Sequence, residues 1–168
     1  AHEMKSIMWQ LNKVKGPVYI RLAKGGDKIL TNNQKKIAIG KSIMFGNPSD
    51  ILFVTTGITT QECFEVSHKL KKYGINAGTL HNHTLKPFDT ENLLKYAKIT
   101  KKIYTVEEHL VSGGLGSIVL EELNQNKSKA VAKVQRIGID NKFIKKYGTQ
   151  RDLLNFCGLT HNKILKKV

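Results

Sequence analysis

The chain has 168 residues, enough for one domain and a short extra piece, with 28 Lys and Arg against 13 Asp and Glu and a formal net charge of +15. A chain of this length buries about 70% of the surface its unfolded form exposes, so a core needs neither disulfide nor metal. No apolar run approaches the roughly 18 residues of a membrane span, and nothing resembles a signal peptide.

Only Arg21, Arg136 and Arg151 are arginines, and the rest of the excess is Lys spread along the whole chain. A nucleic-acid reader leans on Arg, whose fork matches phosphate and guanine. The pattern here reads as solvated surface lysine first, an acidic partner subunit second and nucleic acid last. Cys63 and Cys157 lie far apart without CxxC spacing, which reads as free core thiols in a reducing cytosol.

Met4, Ile7, Met8 and Leu11 follow helical spacing, and Gly16-Pro17 ends that helix. Val18 to Leu22 reads as a strand. One helix and one strand cannot bury their own apolar faces, so residues 1–24 are expected to be the tail end of another domain. The chain starts at Ala1 with helix already under way, which reads as a piece of something longer. Residues 25–36, rich in Gly, Asn and Lys, read as a linker, and 37–168 as a second unit. Lys36 to Phe45 has room for one or two short strands, and Gly46-Asn47-Pro48 turns the chain. Ile51 to Thr56 is a nearly continuous apolar run, the mark of a buried parallel strand.

Thr59-Thr60-Gln61-Glu62 fits a capping box. Cys63, Val66, Leu70 and Tyr73 give the helix that follows its apolar stripe, and Gly74 suits its C′ position. Ile75 to Leu80 is the next strand. Pro87 and Asp89 open a helix with Leu93, Leu94 and Ala97 facing in. Lys102 to Val106 is a strand, Gly113 to Leu123 a helix and Val134 to Ile139 a strand. Thr149 to Asp152 caps a short helix closed by Gly158, and 160–167 makes the last one. Strands alternating with helices of this length predict an α/β fold, a three-layer sandwich with a mostly parallel sheet.

Several segments, in order, resemble the end of the transketolase family. Gly16-Pro17-Val18-Tyr19-Ile20-Arg21-Leu22-Ala23-Lys24-Gly25 resembles the last strand of its pyrimidine-binding domain. Thr56-Gly57 after an apolar strand resembles the start of its C-terminal domain. Thr84-Leu85-Lys86-Pro87-Phe88-Asp89 resembles T-I-K-P-L-D, and Val106-Glu107-Glu108-His109 with Gly113-Gly114-Leu115-Gly116-Ser117 resembles V-E-E-H…G-G-L-G-S. Arg136-Ile137-Gly138-Ile139 resembles the closing strand. The likeness is strongest to two-subunit transketolases, with deoxyxylulose-phosphate synthase and dehydrogenase E1 β-type chains further off.

The resemblance implies a whole enzyme that uses thiamine diphosphate and Mg²⁺ to move a two-carbon ketol unit between sugar phosphates, as in the pentose phosphate pathway, in a cytoplasmic homodimer. It also implies that the cofactor-binding domains lie in an N-terminal part or subunit. This portion would bind no cofactor itself and would serve packing and assembly. Lys24 falls where the family has a cation for the sugar phosphate. Lys supplies charge there without an Arg fork, and the alternative is a solvated linker residue. Arg21 is expected on the other face of that strand.

The loop around His109, Gly113, Gly114 and Gly116 is a candidate interface or near-site loop. It follows a strand and opens a helix, so its amides could hold an anion. Yet it matches neither GxGxxG nor GxxxxGK[ST], which favours close helix-to-loop packing. His81 and His83 form an HxH without a third ligand, which favours surface or interface histidines over a metal. His68 and His161 read as surface residues, and Trp9 with Met4 and Met8 as a face for a missing domain. A stand-alone interaction module on the same fold is the rival reading. A basic nucleic-acid binder is the third, disfavoured by few Arg and no stacking motif.

Overall fold

The computed structural model describes residues 2–23, 27–32, 36–126 and 132–168. Its elements run α1 (His2–Leu11), β1 (Ile43–Phe45), β2 (Ile51–Thr55), α2 (Thr59–Lys71), β3 (Ala77–His81), α3 (Thr90–Ala97), β4 (Lys102–Leu110), α4 (Leu115–Gln125), β5 (Lys133–Ile139), α5 (Gln150–Phe156) and α6 (His161–Leu165). The strands form one sheet in the order β1-β3-β2-β4-β5. The β3–β2, β2–β4 and β4–β5 pairs are parallel, and β1 adds an antiparallel edge.

The continuous apolar run of β2 is explained by burial on both sides. Ile51 and Phe53 point to one face, where Cys63, Val66 and Leu70 of α2 meet Leu154 of α5 and Ile164 of α6. Leu52 and Val54 point to the other, against Leu93 and Ala97 of α3 and Leu115 and Val119 of α4. Leu52, Phe53 and Val54 are wholly buried, each worth about 1.5–3 kcal/mol relative to exposure. The expected three-layer sandwich with a mostly parallel sheet is therefore what forms.

Glycine-closed helix ends fall where expected. At Gly74 (φ +74°) the chain turns so that the Ile75 amide donates back to Leu70 O at 3.2 Å. The start of α2 departs from expectation. Its N-cap is Ile58, with no side-chain cap. The Thr59 hydroxyl turns away from the helix, 2.7 Å from Val106 O and 2.8 Å from Thr56 O, and Glu62 bonds elsewhere. One buried tertiary acceptor, Val106 O, with Thr56 O beside it, wins over the local box. Tyr73 is also corrected: it is 77% exposed and belongs to no core stripe. The cap expected at Thr149 to Asp152 does form, as a capping box.

Val18 to Leu22 is not a strand. It forms no regular element and has no ladder partner among the described residues, and Tyr19 is 89% exposed. Strand propensity needs an edge to pair with, and the described residues of this chain offer it none. Helix α1, by contrast, is tied to the sheet layer. Gln10 Nε2 donates to Ile37 O at 2.6 Å, and Gln10 Oε1 accepts from the Ile39 amide at 3.0 Å. Trp9 stays 74% exposed.

Candidate functional site

The strand order reverses at β2, because β3 lies to one side of it and β4 to the other. An open α/β sheet places its ligand crevice at the C-terminal strand ends of such a reversal. Two facing segments meet there, Thr55 to Thr59 after β2 and Val106 to Leu115 around the end of β4.

Strand β4 runs further than expected, to Leu110, with a register irregularity between Val106 and Leu110. Alternation along the strand puts Glu107 on the same face as Ile103 and Thr105, toward α4, where it is 1% exposed. Its Oε2 accepts from the Leu115 amide at 2.6 Å and its Oε1 from the Gly116 amide at 2.9 Å. These are the orphan donors of the α4 N-terminus, the groups that would bind a phosphate. The chain's own carboxylate thus fills the anion seat. Gly114 is needed because a Cβ there would lie 1.9 Å from Glu107 Oε2. Gly116 lets Arg136 and Thr105 approach, each with an atom within 2.8 Å of where its Cβ would be. Gly113 takes a positive φ of 77° and donates to Ser117 Oγ at 3.0 Å. His109 lies beside this loop, half exposed, with Nδ1 4.0 Å from Glu107 Oε2.

The structure therefore brings His109, Gly113, Gly114 and Gly116 together around Glu107, for which the sequence alone allowed a general acid/base role but favoured a structural or interfacial one. The two halves of the V-E-E-H…G-G-L-G-S pattern are one unit, a carboxylate and the helix start it holds. A diphosphate does not fit this place, because it would meet a buried carboxylate already on the same amides. Lys24 lies outside the described residues. Arg21 reaches Glu108, with Nη1 3.3 Å from its carbonyl oxygen and Nη2 3.9 Å from Oε2.

A second polar cluster lies at the end of β3. Glu3 Oε2 of α1 is 3.0 Å from His81 Nε2, His81 Nδ1 is 2.7 Å from Thr60 Oγ1, and that hydroxyl is 2.9 Å from Thr55 Oγ1. His81 is buried at 4% exposure, so it is no surface histidine; it joins α1 to the sheet. Burial pushes the Glu3 carboxyl up, but its hydrogen bond to His81 and the nearby His81 and His83 charges hold it below the usual range. Burial, then the His81 charge, pushes His83 down, which favours the neutral ring. No group of three His, Cys, Asp or Glu is arranged to hold a metal ion among the described residues.

Glu62 is the residue that the capping-box pattern hid. It is 3% exposed and takes Arg151 of α5, together with the backbone amide and Nδ1 of His161 at the start of α6. His161 is therefore a structural partner, and its side chain is only 24% exposed. Glu62 also raises Cys63, after the larger effect of complete burial, which keeps that thiol protonated and inert. Asp89 closes the Thr84–Asp89 segment. It caps α3 through Asn92 and accepts from the Ser42 amide at 2.7 Å, fastening β1 to α3.

A family model described as the transketolase C-terminal domain matches residues 42–164. The chain belongs to the transketolase C-terminal domain family. It is 31% identical over 99% of its length to a chain described as a transketolase C-terminal section from Methanocaldococcus jannaschii, covering 52% of that protein. It is 32% identical to a 6-deoxy-6-sulfo-D-fructose transketolase subunit from a Clostridium species, over 90% of this chain and 46% of that one. It is 34% identical to the 1-deoxy-D-xylulose-5-phosphate synthase of Gloeobacter violaceus, over 92% of this chain and 24% of that protein. Among solved structures, a split-gene transketolase described as an inactive β4 tetramer superposes with a TM-score of 0.86 at 31% identity, over 96% of this chain and 52% of that one. The chain thus spans about half or less of the length of these relatives.

Proposed function

We propose that this chain is the C-terminal portion of a thiamine-diphosphate-dependent transketolase, that it packs and assembles the enzyme, and that it is inactive without the cofactor-binding domains. The observation that carries this reading is the Glu107 carboxylate on the Leu115 and Gly116 amides. The fold's natural anion seat is closed by the protein itself, so the chemistry belongs to another portion. In the whole enzyme, thiamine diphosphate with Mg²⁺ would supply a carbanion equivalent for two-carbon ketol transfer between sugar phosphates, as in the pentose phosphate pathway.

The relatives support a two-part enzyme. Two that span nearly all of this chain are described as a transketolase section and a transketolase subunit. The expected organisation follows from that reading: residues 1–24 close a pyrimidine-binding domain, 25–36 link, and 37–168 form the C-terminal domain. The exposed, unpaired Val18–Leu22 segment fits a strand whose sheet lies in the other portion. Lys24 remains the proposed sugar-phosphate contact, and the loop of His109, Gly113, Gly114 and Gly116 a packing or interface element. A cytoplasmic homodimer is the proposed assembly.

The synthase relatives favour a second reading, a portion of a 1-deoxy-D-xylulose-5-phosphate synthase. Calorimetric titration with thiamine diphosphate and Mg²⁺ tests both readings, first with this chain alone and then after mixing with the N-terminal portion. Binding and ketol transfer only in the mixture are expected. Formation of 1-deoxy-D-xylulose 5-phosphate in place of ketol transfer selects the second reading. Tight cofactor binding by this chain alone refutes the assignment.

A further inference from the structure

The segment after β5 leaves aromatic surface uncovered. Phe143 is 94% exposed, Tyr147 has no cover at all, and Phe156 of α5 is 48% exposed. Two shallow grooves meet at Phe156. One, about 200 Å³, is lined by Ile139, Asp140, Lys142, Ile144, Phe156 and Cys157. The other, about 280 Å³, lies between Tyr147, Leu153 and Phe156, with Lys146 and Asp152 in its wall. Lys146 Nζ stands 5.3 Å from the Phe156 ring centroid.

Charge gives this face its sign. Asp140 is paired with Lys142 at 2.7 Å, and Asp152 accepts from the Thr149 amide and hydroxyl. Both acids are thus already partnered. Lys145 and Lys146 are exposed beside them, and Lys167 reaches Gly158 O at 3.3 Å. Exposed aromatics rimmed by charge mark a protein contact. A second copy would set these lysines against their equals across a two-fold axis, on a chain that carries +15. Nucleic acid would bring phosphates against Asp140 and Asp152, and the nearest arginine, Arg151, is already committed to Glu62.

We propose that the face of residues 139–157 docks an acidic surface of the enzyme's other portion, which sets an apolar side chain in each groove beside Phe156. This rests on the two-portion reading above and names where the portions meet. This chain spans about half of the 31% identical C-terminal-section relative, so the remaining half has ample surface to cover the face.

The test mixes this chain with the purified N-terminal portion and reads affinity by calorimetry at low and high salt. Phe143→Ala combined with Tyr147→Ala is expected to weaken binding by about 30-fold, the scale of an aromatic hot spot. Lys145→Glu combined with Lys146→Glu is expected to weaken it further and to remove its salt dependence. Thermal melts of both variants should match the parent, because all four side chains are exposed. Parent-like affinity in both variants overturns the proposal. So does loss of self-association by the chain alone at unchanged partner affinity, which would make a second copy the occupant. If the parent chain itself does not bind the N-terminal portion, the two-portion reading falls, and this proposal with it.

Discussion

Gly114 leaves just enough room for Glu107 to sit on the α4 amides. A methyl group there would stand 1.9 Å from Oε2, far inside contact distance. Glu107 cannot move aside without giving up its bonds to the Leu115 and Gly116 amides. Gly114→Ala is therefore expected to destabilise the domain by about 3 kcal/mol, the upper range for an overpacked core. In a chain of this size that corresponds to a loss of roughly 6–12 °C in Tm. A melt within about 1 °C of the parent would contradict this account. Glu107→Gln keeps the shape but loses the charge, and one amide N–H would then face a donor. Its expected cost is about 2 kcal/mol, the worth of a hydrogen bond to a charged group. The chemistry of this pair was legible only in part. The V-E-E-H and G-G-L-G segments were recognised, but that the carboxylate of one bonds the amides of the other emerges only when α4 folds back over the end of β4.

Helix α1 shows how an element is held by a few polar contacts. It has no fully buried residue. It is fastened at one end by Glu3 on His81 and at the other by Gln10 on Ile37 and Ile39. Glu3→Gln removes the charged acceptor from a histidine that is almost wholly buried, and leaves the Gln10 fork intact. The expected outcome is faster amide exchange along α1, with β2 and β4 unchanged. Unchanged exchange in α1 would mean that its apolar face, not the Glu3–His81 pair, holds it. The sequence placed this helix correctly from the spacing of Met4, Ile7, Met8 and Leu11. It did not reveal the attachment, because the partners of Glu3 and Gln10 lie 78 and 27 residues away. The same distance effect misplaced the capping box: Thr59 and Glu62 fit the local pattern, but Val106, Arg151 and His161 claim their side chains.

Acid should loosen the whole molecule for three additive reasons. His83 is held below its ordinary value, so the unfolded chain takes up that proton first, and stability falls as pH drops from about 6.5 through the lower folded value. Asp89 gains pKa from burial, but the hydrogen bonds from Ser42 and Asn92 outweigh it and hold the carboxyl below its ordinary value. Glu3 is lowered as well. Their contributions are complete above about pH 5.5, beyond the ordinary carboxylate range, and are lost as pH falls through the folded values. Protonating the 13 carboxylates also removes the counterweight to 28 basic residues, which increases self-repulsion. Thermal melts between pH 7 and pH 3 should show a monotonic decline, with added salt recovering part of the loss at the acid end. A Tm maximum below pH 5 would refute the scheme.

The sequence by itself determined the sandwich and its family. Apolar runs long enough to be buried on both faces, alternating with helical stripes and glycine stops, leave little else for such a chain to build, and the family segments follow in order. Helix ends closed by Gly74 and Gly158 were legible because they depend on neighbours in the chain. Tertiary structure alone decided where buried charge goes. Glu62 and His81 find partners far along the chain and Glu107 finds the start of the next helix, and burial makes these bonds outweigh any purely local one. It also decided that Val18 to Leu22, a strand by composition, finds no partner among the described residues, because strand formation requires a neighbouring edge and not only a suitable sequence.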